Sequence, residues 1–343
     1  MESPSHTGNV ATKTPSPSAA RATVSSQPKL VLVAPPRWHG AAELSLKIMA
    51  FAAIAAVSLI FVFVAKEALP LFWSDEVHEE VTPGQMWTAQ TWPGYKQAEH
   101  IWQPVSNHPK FGVWPLIVGT LKVTLVAMFF GVPLAVGAAL YVSQFARRRT
   151  REIIKPTIEM LAAVPSVVLG FFALMVMATV FQDWFGLTSR LNALVAGVAL
   201  AFAVIPVVFT ISEEAFGAVP KSYVEASTAL GAARWQTVLF VVLPAAAPGI
   251  AAGVALGLGR AVGETMVVLM ASGNASILSG NISDSVRTLS ATIAAELAEV
   301  VFGGPHYTVL FFLGAFLFVV TGVINFAGDM AISRMKRRMG VSS

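Results

Sequence analysis

The sequence predicts an all-α membrane protein with six transmembrane helices, and three observations lead to that fold class. Of the 343 residues, 55% are hydrophobic and only 12% are charged, whereas charged residues make up about a quarter of soluble domains. The mean hydropathy is +0.67. Six segments are each long and apolar enough to cross a bilayer, which takes roughly 20 residues of helix.

Each of the six apolar segments is predicted to cross the bilayer once. They cover residues 48–65, 113–142, 158–181, 191–211, 249–271 and 308–332. Basic residues cluster after the second span and after the sixth, at Arg147, Arg148, Arg149, Arg151, Lys155, Arg334, Lys336, Arg337 and Arg338. The segment after the first span is acidic instead. By the positive-inside rule, both termini and the loops after spans two and four are predicted to be cytoplasmic.

The predicted organisation has four parts. Residues 1–44 are rich in Ser, Thr, Pro and Ala and lack the apolar stretch of a signal peptide, which predicts a disordered cytoplasmic tail. Residues 45–112 contain the first span and an outer loop. Residues 113–333 form the core transmembrane domain, and residues 334–343 are a basic cytoplasmic C-terminus.

The composition also argues against several function classes. The chain has no cysteine, so it forms neither disulfides nor thiolate metal sites, and its six histidines show no spacing typical of metal ligands. No Gly-x-x-x-x-Gly-Lys-Ser/Thr loop occurs, so any nucleotide is expected on a separate subunit. The net charge of +4 comes from basic residues beside apolar segments, which indicates membrane orientation and not nucleic-acid binding. We therefore expect no catalytic residue, metal or cofactor in this chain.

Two segments on the predicted outer side stand apart from the spans. The first contains five tryptophans, for which headgroup anchoring is the ordinary role and a platform for a sugar or a partner is the alternative. These are Trp73, Trp87, Trp92, Trp102 and Trp114. In residues 283–302 an apolar stripe at helical spacing predicts an amphipathic helix, with Glu296 and Glu299 outside the stripe. The stripe consists of Val286, Leu289, Ile293, Leu297 and Val300.

The segment 212–246 is long, mixed in polarity and cytoplasmic by the predicted topology. Pro220 breaks it near its start, and Ser222 is predicted to cap a short helix that Gly231 ends. A second short helix is predicted to stop before Pro244. Two short helices at an angle form a compact knob suited to a groove on another protein.

This segment resembles the docking loop of ABC importer permeases, whose motif reads Glu-Ala-Ala, three residues, Gly, nine residues, Ile, one residue, Leu-Pro. Five positions match: Glu225, Ala226, Gly231, Leu243 and Pro244. Ser227 and Val241 replace the third small residue and the Ile, and both changes conserve volume. The resemblance implies that residues 212–246 couple this chain to an ATPase subunit.

The fifth span contains a charged pair, Arg260 and Glu264, four residues apart and predicted to share one helical face. An arginine at this depth is expected to face a partner or a wet cavity. Two interpretations remain open on these residues alone. The pair is either a structural ion pair that fixes the assembly, or Arg260 offers its guanidinium to an oxyanion during passage.

The run from Gly257 to Met266, followed by Gly273-Asn274, is similar to the PstC family of phosphate permeases in ABC transporters. Pro165-Ser166-Val167-Val168, Gly119-Thr120-Leu121 and Arg287-Thr288-Leu289 extend the resemblance, which covers roughly residues 111–330. It implies a type I ABC importer permease fold in a prokaryotic cell membrane. It further implies a substrate path through Arg260, Glu264 and Thr265.

The same resemblance implies the partners. Permeases of this family work with a sister permease, a dimer of ATP-binding subunits and an extracytoplasmic phosphate-binding protein. The implied mechanism is alternating access, in which ATP closes the ATPase dimer and the docking loop transmits that movement.

Three alternatives define what the sequence leaves open. Sulfate and molybdate permeases carry similar docking loops, so another oxyanion is the nearest alternative substrate. A secondary transporter driven by an ion gradient is a second, although no clear internal repeat is visible. A polytopic membrane enzyme is a third, for which Arg260 and Glu264 alone supply too few acid–base groups.

Overall fold

The computed structural model describes residues 39–93 and 95–338. Most of the predicted N-terminal tail therefore lies outside the described residues, and so do the last five positions of the basic C-terminus. Residues 39–44, which were assigned to the tail, belong to the first helix. The chain divides into two compact units, residues 1–57 and 58–343. The described part of the first unit is helical, with an ion pair between Lys47 and Glu43 at 2.6 Å.

Apart from a 3-10 turn at Leu69–Phe72 and three π-helical turns, the described residues form α-helices and one short two-stranded sheet. In chain order they are α1 (His39–Ala68), α2 (Asp75–His78), α3 (Pro83–Trp87), β1 (Trp102–Gln103), β2 (Lys110–Phe111), α4 (Trp114–Leu140), α5 (Arg148–Ala163), α6 (Ser166–Phe172), α7 (Ala178–Phe185), α8 (Ala193–Gly217), α9 (Lys221–Ala229), α10 (Arg234–Thr237), α11 (Leu243–Gly263), α12 (Met266–Ala271), α13 (Leu289–Glu296) and α14 (Pro305–Arg338). Strands β1 and β2 pair antiparallel, with Trp102 opposite Phe111.

All six predicted spans are confirmed as helices long and apolar enough to cross a membrane. They run through Glu43–Phe72, Trp114–Phe145, Ser166–Phe185, Ala193–Gly217, Arg234–Gly263 and Pro305–Arg337. Three of them contain a π-helical turn, at Tyr141–Phe145, Ala173–Met177 and Val238–Val242. The termini of the spans differ from the predicted boundaries most in spans three and five.

The third span begins later than predicted. Residues 158–163 were assigned to it, but they end a separate helix, α5, and the span starts at Ser166. Val164 is extended, with ψ 123°, because it precedes Pro165 and the proline ring disfavours a helical residue before it. The result is an amphipathic helix joined to the span by two residues.

The fifth span is displaced toward the N-terminus. The predicted stop before Pro244 is wrong, because the helix that starts at Arg234 continues through Pro244 to Gly263. A π-helical turn at Val238–Val242 precedes the proline. Such a wide turn relieves the loss of the proline N–H and the clash of its ring with the preceding turn. The predicted end at residue 271 is wrong as well, since residues 266–271 form the separate helix α12.

The main hydrophobic core lies where α4, α8 and α11 contact one another. Its buried side chains are mostly small or branched, with Phe209 and Phe216 of α8 as the largest. Helix α8 begins at Ala193, where the Asn192 side chain caps it by accepting a hydrogen bond from the Val195 N–H at 2.9 Å. Small side chains allow the close helix approach that packing within a membrane requires.

A second core forms on the predicted outer side, around Trp102, Phe111, Met86 and Leu313. Trp102 is only 2% exposed, so it is neither a headgroup anchor nor a surface platform. The amphipathic helix predicted for residues 283–302 is shorter than expected, and α13 covers only Leu289–Glu296. The stripe residues Leu289, Ile293, Leu297 and Val300 do pack against this second core.

Candidate functional site

The segment with the docking motif folds into a helix–turn–helix knob, which we call the docking knob and define as α9, the following turn and α10, residues 221–237. Gly231 ends α9 with a φ of +81°, as predicted. The Gly231 N–H donates to the Thr228 carbonyl at 3.0 Å and the Ala232 N–H donates to the Ser227 carbonyl at 3.2 Å. This pair of hydrogen bonds is the Schellman arrangement, which requires a left-handed residue at the position of Gly231.

The start of α9 differs from the prediction. Ser222 was expected to cap the helix, but α9 begins at Lys221, with Pro220 before it and no side-chain cap. The fixed φ of proline supports a helix start without a capping hydroxyl.

Side chains fasten the two arms of the docking knob to each other and to span two. The Ser227 and Thr237 hydroxyls form a hydrogen bond of 2.9 Å across the Gly231 turn. Ser227, which departs from the motif, therefore has a structural role. The Arg234 guanidinium donates to the Gln144 carbonyl and lies 5.5 Å from the centre of the Phe145 ring. The knob is thus braced against the cytoplasmic end predicted for span two.

The surface of the docking knob combines polar side chains with several large exposed apolar ones. Helix α9 has no buried residue, and both Glu225 and Ala226 are exposed. Leu230, at the tip, is 90% exposed. The side chains of Tyr223 and Trp235 in the knob, and of Phe240 just beyond it, are also exposed. Exposed apolar side chains, where they are contiguous, mark a surface that another protein covers.

The last two motif residues, Leu243 and Pro244, lie beyond the docking knob in the first turn of α11. Both line an apolar groove of about 680 Å³ between α11, α4 and α14. The motif therefore spans two structures: Glu225, Ala226 and Gly231 belong to the knob, while Leu243 and Pro244 lie further along the span helix that starts in the knob at Arg234.

The charged pair of the fifth span does not have the predicted geometry. Helix α11 ends at Gly263, and Glu264 follows in an extended conformation with ψ 131°. Arg260 and Glu264 therefore do not share a helical face, and among the described residues neither side chain forms an ion pair. Arg260 is exposed and Glu264 is half-buried. The structure therefore does not support the interpretation of Arg260 and Glu264 as a structural ion pair.

The helix break after Gly263 is held by α13, which lies on the predicted outer side. The Ser290 hydroxyl, at the start of α13, donates to the Glu264 carbonyl at 2.8 Å. Thr265 donates to the Gly263 carbonyl at 3.3 Å. Gly263, Thr265 and Ser290 line a cavity of about 480 Å³ together with apolar residues of α13 and α14. Arg260 and Glu264 are not among the lining residues, so the structure brings only Thr265 of the three predicted path residues into this cavity.

Sequence reasoning missed two polar residues of this region. Ser290 fastens the helix break, and the Asn325 side chain of α14 lies over Gly259, where a Cβ atom would be only 2.9 Å from its Oδ1. Asn325 carried a usable signal, because an amide inside an apolar span is uncommon and marks a helix contact or a wet cavity. Ser290 carried no such signal in the sequence, because its hydrogen-bond partner is the backbone of a residue 26 positions away.

A second charged cluster lies on the predicted outer side, around Glu296. Its carboxylate accepts hydrogen bonds from the Trp102 indole at 3.1 and 3.2 Å. It also contacts Arg287 at 2.5 Å and His306 at 2.9 Å. Burial alone would raise the pKa of Glu296, but the hydrogen bonds to His306 and Trp102 and the charge of Arg287 outweigh burial and hold the pKa below its ordinary value. Glu296 was predicted to lie off the packed face, and that prediction is wrong.

Comparison with known families matches most of the membrane domain. The family model of binding-protein-dependent transport system inner membrane components covers residues 131–341. A probable ABC transporter permease protein of Bacillus subtilis, YqgH, is 34% identical over 221 residues, which is 64% of this chain and 71% of that protein. The phosphate transport system permease protein PstC of Xylella fastidiosa is 30% identical over 258 residues, 70% of this chain and 78% of that protein. PstC 1 of Mycobacterium tuberculosis is 31% identical over 276 residues, with 73% and 82% covered.

Solved structures show the same fold at lower identity. A bacterial alginate ABC transporter in complex with an alginate-bound periplasmic protein superposes with a TM-score of 0.55, at 16% identity, over 89% of this chain and 98% of that chain. The inward-facing methionine transporter MetNI superposes with a TM-score of 0.50, at 22% identity, over 65% and 97%. At these identities the likeness concerns the fold alone.

Proposed function

We propose that this chain, which belongs to the family of binding-protein-dependent transport system inner membrane components, forms part of the path for inorganic phosphate in an ATP-driven importer. That the chain is an ABC importer permease follows from the family and the six-helix fold. Phosphate as the substrate is the proposal. Its support is the likeness to phosphate transport permeases over more than two thirds of the chain.

The observation that carries the site assignment is the environment of Arg260. Its side chain is exposed on the fifth span with no ion-pair partner among the described residues. An arginine in a span costs roughly 2.5–3.5 kcal/mol on insertion scales, so it is retained where it faces water, another chain or a ligand. The planar guanidinium offers paired donors that fit a tetrahedral oxyanion. Glu264 and Thr265 follow at the helix break and complete the proposed path.

The docking knob is proposed to bind the ATP-binding subunits. Its exposed apolar tip at Leu230 and the motif residues Glu225, Ala226 and Gly231 form one contiguous surface outside the spans. Leu243 and Pro244 connect this surface to α11, the helix that carries Arg260. Movement of the docked subunit would therefore reach the proposed phosphate contact through a single continuous helix. A sister permease and an extracytoplasmic phosphate-binding protein complete the proposed complex.

The test is uptake of labelled phosphate by cells that lack this chain and by cells in which it is restored, with sulfate and molybdate as competitors. We expect restored uptake that resists both competitors. Arg260→Ala should reduce uptake by about tenfold or more, as expected for loss of a charged hydrogen-bond donor, while the ATP-binding subunit still co-purifies. Arg147→Ala, a change at an exposed arginine outside the spans, is the matched control.

Each contrary outcome points to one error. Competition by sulfate or molybdate would assign another oxyanion. If restoring the chain leaves phosphate uptake unchanged, phosphate is not the substrate. Loss of assembly in Arg260→Ala would make this arginine a contact between subunits instead of a substrate ligand.

A further inference from the structure

Helix α8 carries a buried carboxylate close to the docking knob. Glu213 is 2% exposed and lies one turn before α8 ends at Gly217. Two cations of α5 contact it: the Arg151 guanidinium binds Oε1, and the Lys155 ammonium binds Oε2 at 3.0 Å. Each carboxylate oxygen therefore has its own cationic donor, and the three side chains form a cluster that we call the Glu213 clamp.

The clamp adds a charged contact to the apolar packing between α5 and α8. Arg151 and Lys155 are four residues apart in α5 and thus lie on one face of it. Ile154 and Ile158 of the same helix pack against the core cluster that includes Phe209 and Phe216 of α8. No residue of α5 is fully buried. A carboxylate as buried as Glu213 is strongly destabilising without its partners, which makes separation of α5 from α8 unfavourable.

The α8 side of the clamp is directly connected to the docking knob. Only Ala218, Val219 and Pro220 separate the end of α8 from α9. Val219 and Val224 pack against the same core cluster as α5. A displacement of the docking knob would therefore reach Glu213 through a three-residue linker and one turn of α8.

The α5 side of the clamp leads to the helix break that carries the proposed path. Val164 and Pro165 join α5 to α6. Helix α6 contacts the start of α12 at Gly170, where a Cβ atom would lie 3.0 Å from the Met266 carbonyl and 3.2 Å from the Val267 Cα. Met266 directly follows Glu264 and Thr265. A Cβ atom at these distances would be tighter than ordinary van der Waals contact, so the glycine allows the two backbones to approach closely.

We propose that Glu213, through Arg151 and Lys155, is a positioning residue that makes α5 move with the docking knob and so transmits ATPase-driven movement to the helix break at Glu264 and Thr265. This route is separate from the continuous α11 helix and reaches the same break from its other side. The proposal rests on the proposed function for the identity of the docked partner. Coupling along such a route requires that the contact itself alters the equilibrium between two states, and that can be measured.

The first test is phosphate imported per ATP hydrolysed by the full complex in proteoliposomes, with and without the Glu213→Gln change. We expect Glu213→Gln to lower that ratio between about twofold and thirtyfold, the range over which single contacts modulate coupling. Glu152→Gln is the matched control, because it removes a carboxylate from an exposed pair with Arg148 on the same helix. If Glu213→Gln prevents assembly, Lys155→Gln replaces it, since Arg151 then still holds Glu213.

The second test does not depend on the transported substrate. The chain contains no cysteine, so spin labels can be attached at Thr157→Cys on α5 and Ser222→Cys on α9, both exposed positions. With the clamp intact, the distance between the labels should be the same without nucleotide and with ATP bound. In Glu213→Gln or Lys155→Gln, ATP should shift or broaden that distance.

The proposal is overturned if these variants keep both the wild-type label distance and the wild-type ratio of phosphate imported per ATP hydrolysed. A wild-type complex that binds the ATP-binding subunit and imports no phosphate would instead overturn the proposed substrate. In that case the label distances still decide whether the clamp couples α5 to the docking knob.

Discussion

At the scale of single residues, charge is arranged in two opposite ways. Glu213 and Glu296 are largely buried, and each is contacted by more than one donor. Arg260 is exposed and has no ion-pair partner within the part of the chain that the structure describes. Buried carboxylates persist because they are paired, whereas an unpaired arginine in a span has to meet water, another chain or a ligand. This contrast separates charges that hold the fold from the charge assigned to transport.

The cluster at Glu296 predicts an acid-sensitive outer core. Because its pKa in the folded protein is lowered, the stability that Glu296 contributes is present above the ordinary glutamate pKa of 4.5 and is lost as the pH falls through the lowered value. Trp102 donates to Glu296, so its fluorescence should report the change. We expect an acid transition below pH 4.5 in the wild type that is missing in Glu296→Gln.

Glu299→Gln is the control for this titration, because Glu299 is exposed on the neighbouring turn. It should titrate like the wild type. An identical acid transition in Glu296→Gln would show that another group causes it.

Neither buried carboxylate could be assigned its role from the sequence. Arg151 and Lys155 were interpreted as orienting charges, and they lie 62 and 58 positions from Glu213. Trp102 is 194 positions from Glu296. Periodicity relates residues that are a few positions apart on one helix or strand, so it cannot reveal pairs that are this distant in sequence. Arg260, Glu264 and the docking motif were visible because their residues are close in sequence, although the local geometry of the charged pair was wrong.

At the scale of elements, hydropathy identified all six spans and missed where their helices break. Residues 158–163 and 266–271 are apolar enough to extend spans three and five, so composition alone carried the predicted spans through Val164 and past Gly263. The extended residue before Pro165 and the Ser290 hydrogen bond to Glu264 determine these breaks. Both breaks lie on the proposed coupling route, the first between α5 and α6 and the second at its end, and a continuous helix would not change direction at these points.

The turn at Gly231 allows a prediction that separates backbone conformation from bulk. A Cβ atom at Gly231 would have no other atom within 4 Å, but the φ of +81° strains residues with a side chain. We expect Gly231→Val to distort the docking knob, at a cost of roughly 1–2 kcal/mol for the left-handed backbone, and to lower phosphate import per ATP hydrolysed while the protein still inserts. Gly231→Asn should retain most coupling, because asparagine tolerates this conformation.

The two Gly231 variants are to be compared by co-purification of the ATP-binding subunit and by the ratio of import to hydrolysis. Equal losses in Gly231→Asn and Gly231→Val would mean that any side chain obstructs the docked partner and that the backbone is not the cause. If both variants couple normally, the turn at Gly231 does not take part in docking.

At the scale of the whole molecule, the remaining prediction is the orientation of the chain in the membrane. By the positive-inside rule, the basic residues after span two and after span six predict that the docking knob lies in the cytoplasm and the Trp102 core outside. The fold alone is compatible with either orientation, because the same helices satisfy their backbone hydrogen bonds both ways. The choice has a functional consequence: the knob meets ATP-binding subunits only if it faces the cytoplasm.

The natural absence of cysteine makes this orientation directly measurable. Leu230, Val105 and Val301 are 90%, 85% and 80% exposed, so a cysteine at any of them is accessible to a thiol reagent on its own side of the membrane. In intact cells, a membrane-impermeant maleimide should label Val105→Cys and Val301→Cys and leave Leu230→Cys unlabelled. In cells that lack the ATP-binding subunit, all three should react after permeabilisation, which excludes burial by the docked partner as the cause of protection. Labelling of Leu230→Cys in intact cells would place the docking knob outside, and coupling to cytoplasmic ATP hydrolysis through this loop would then be physically excluded.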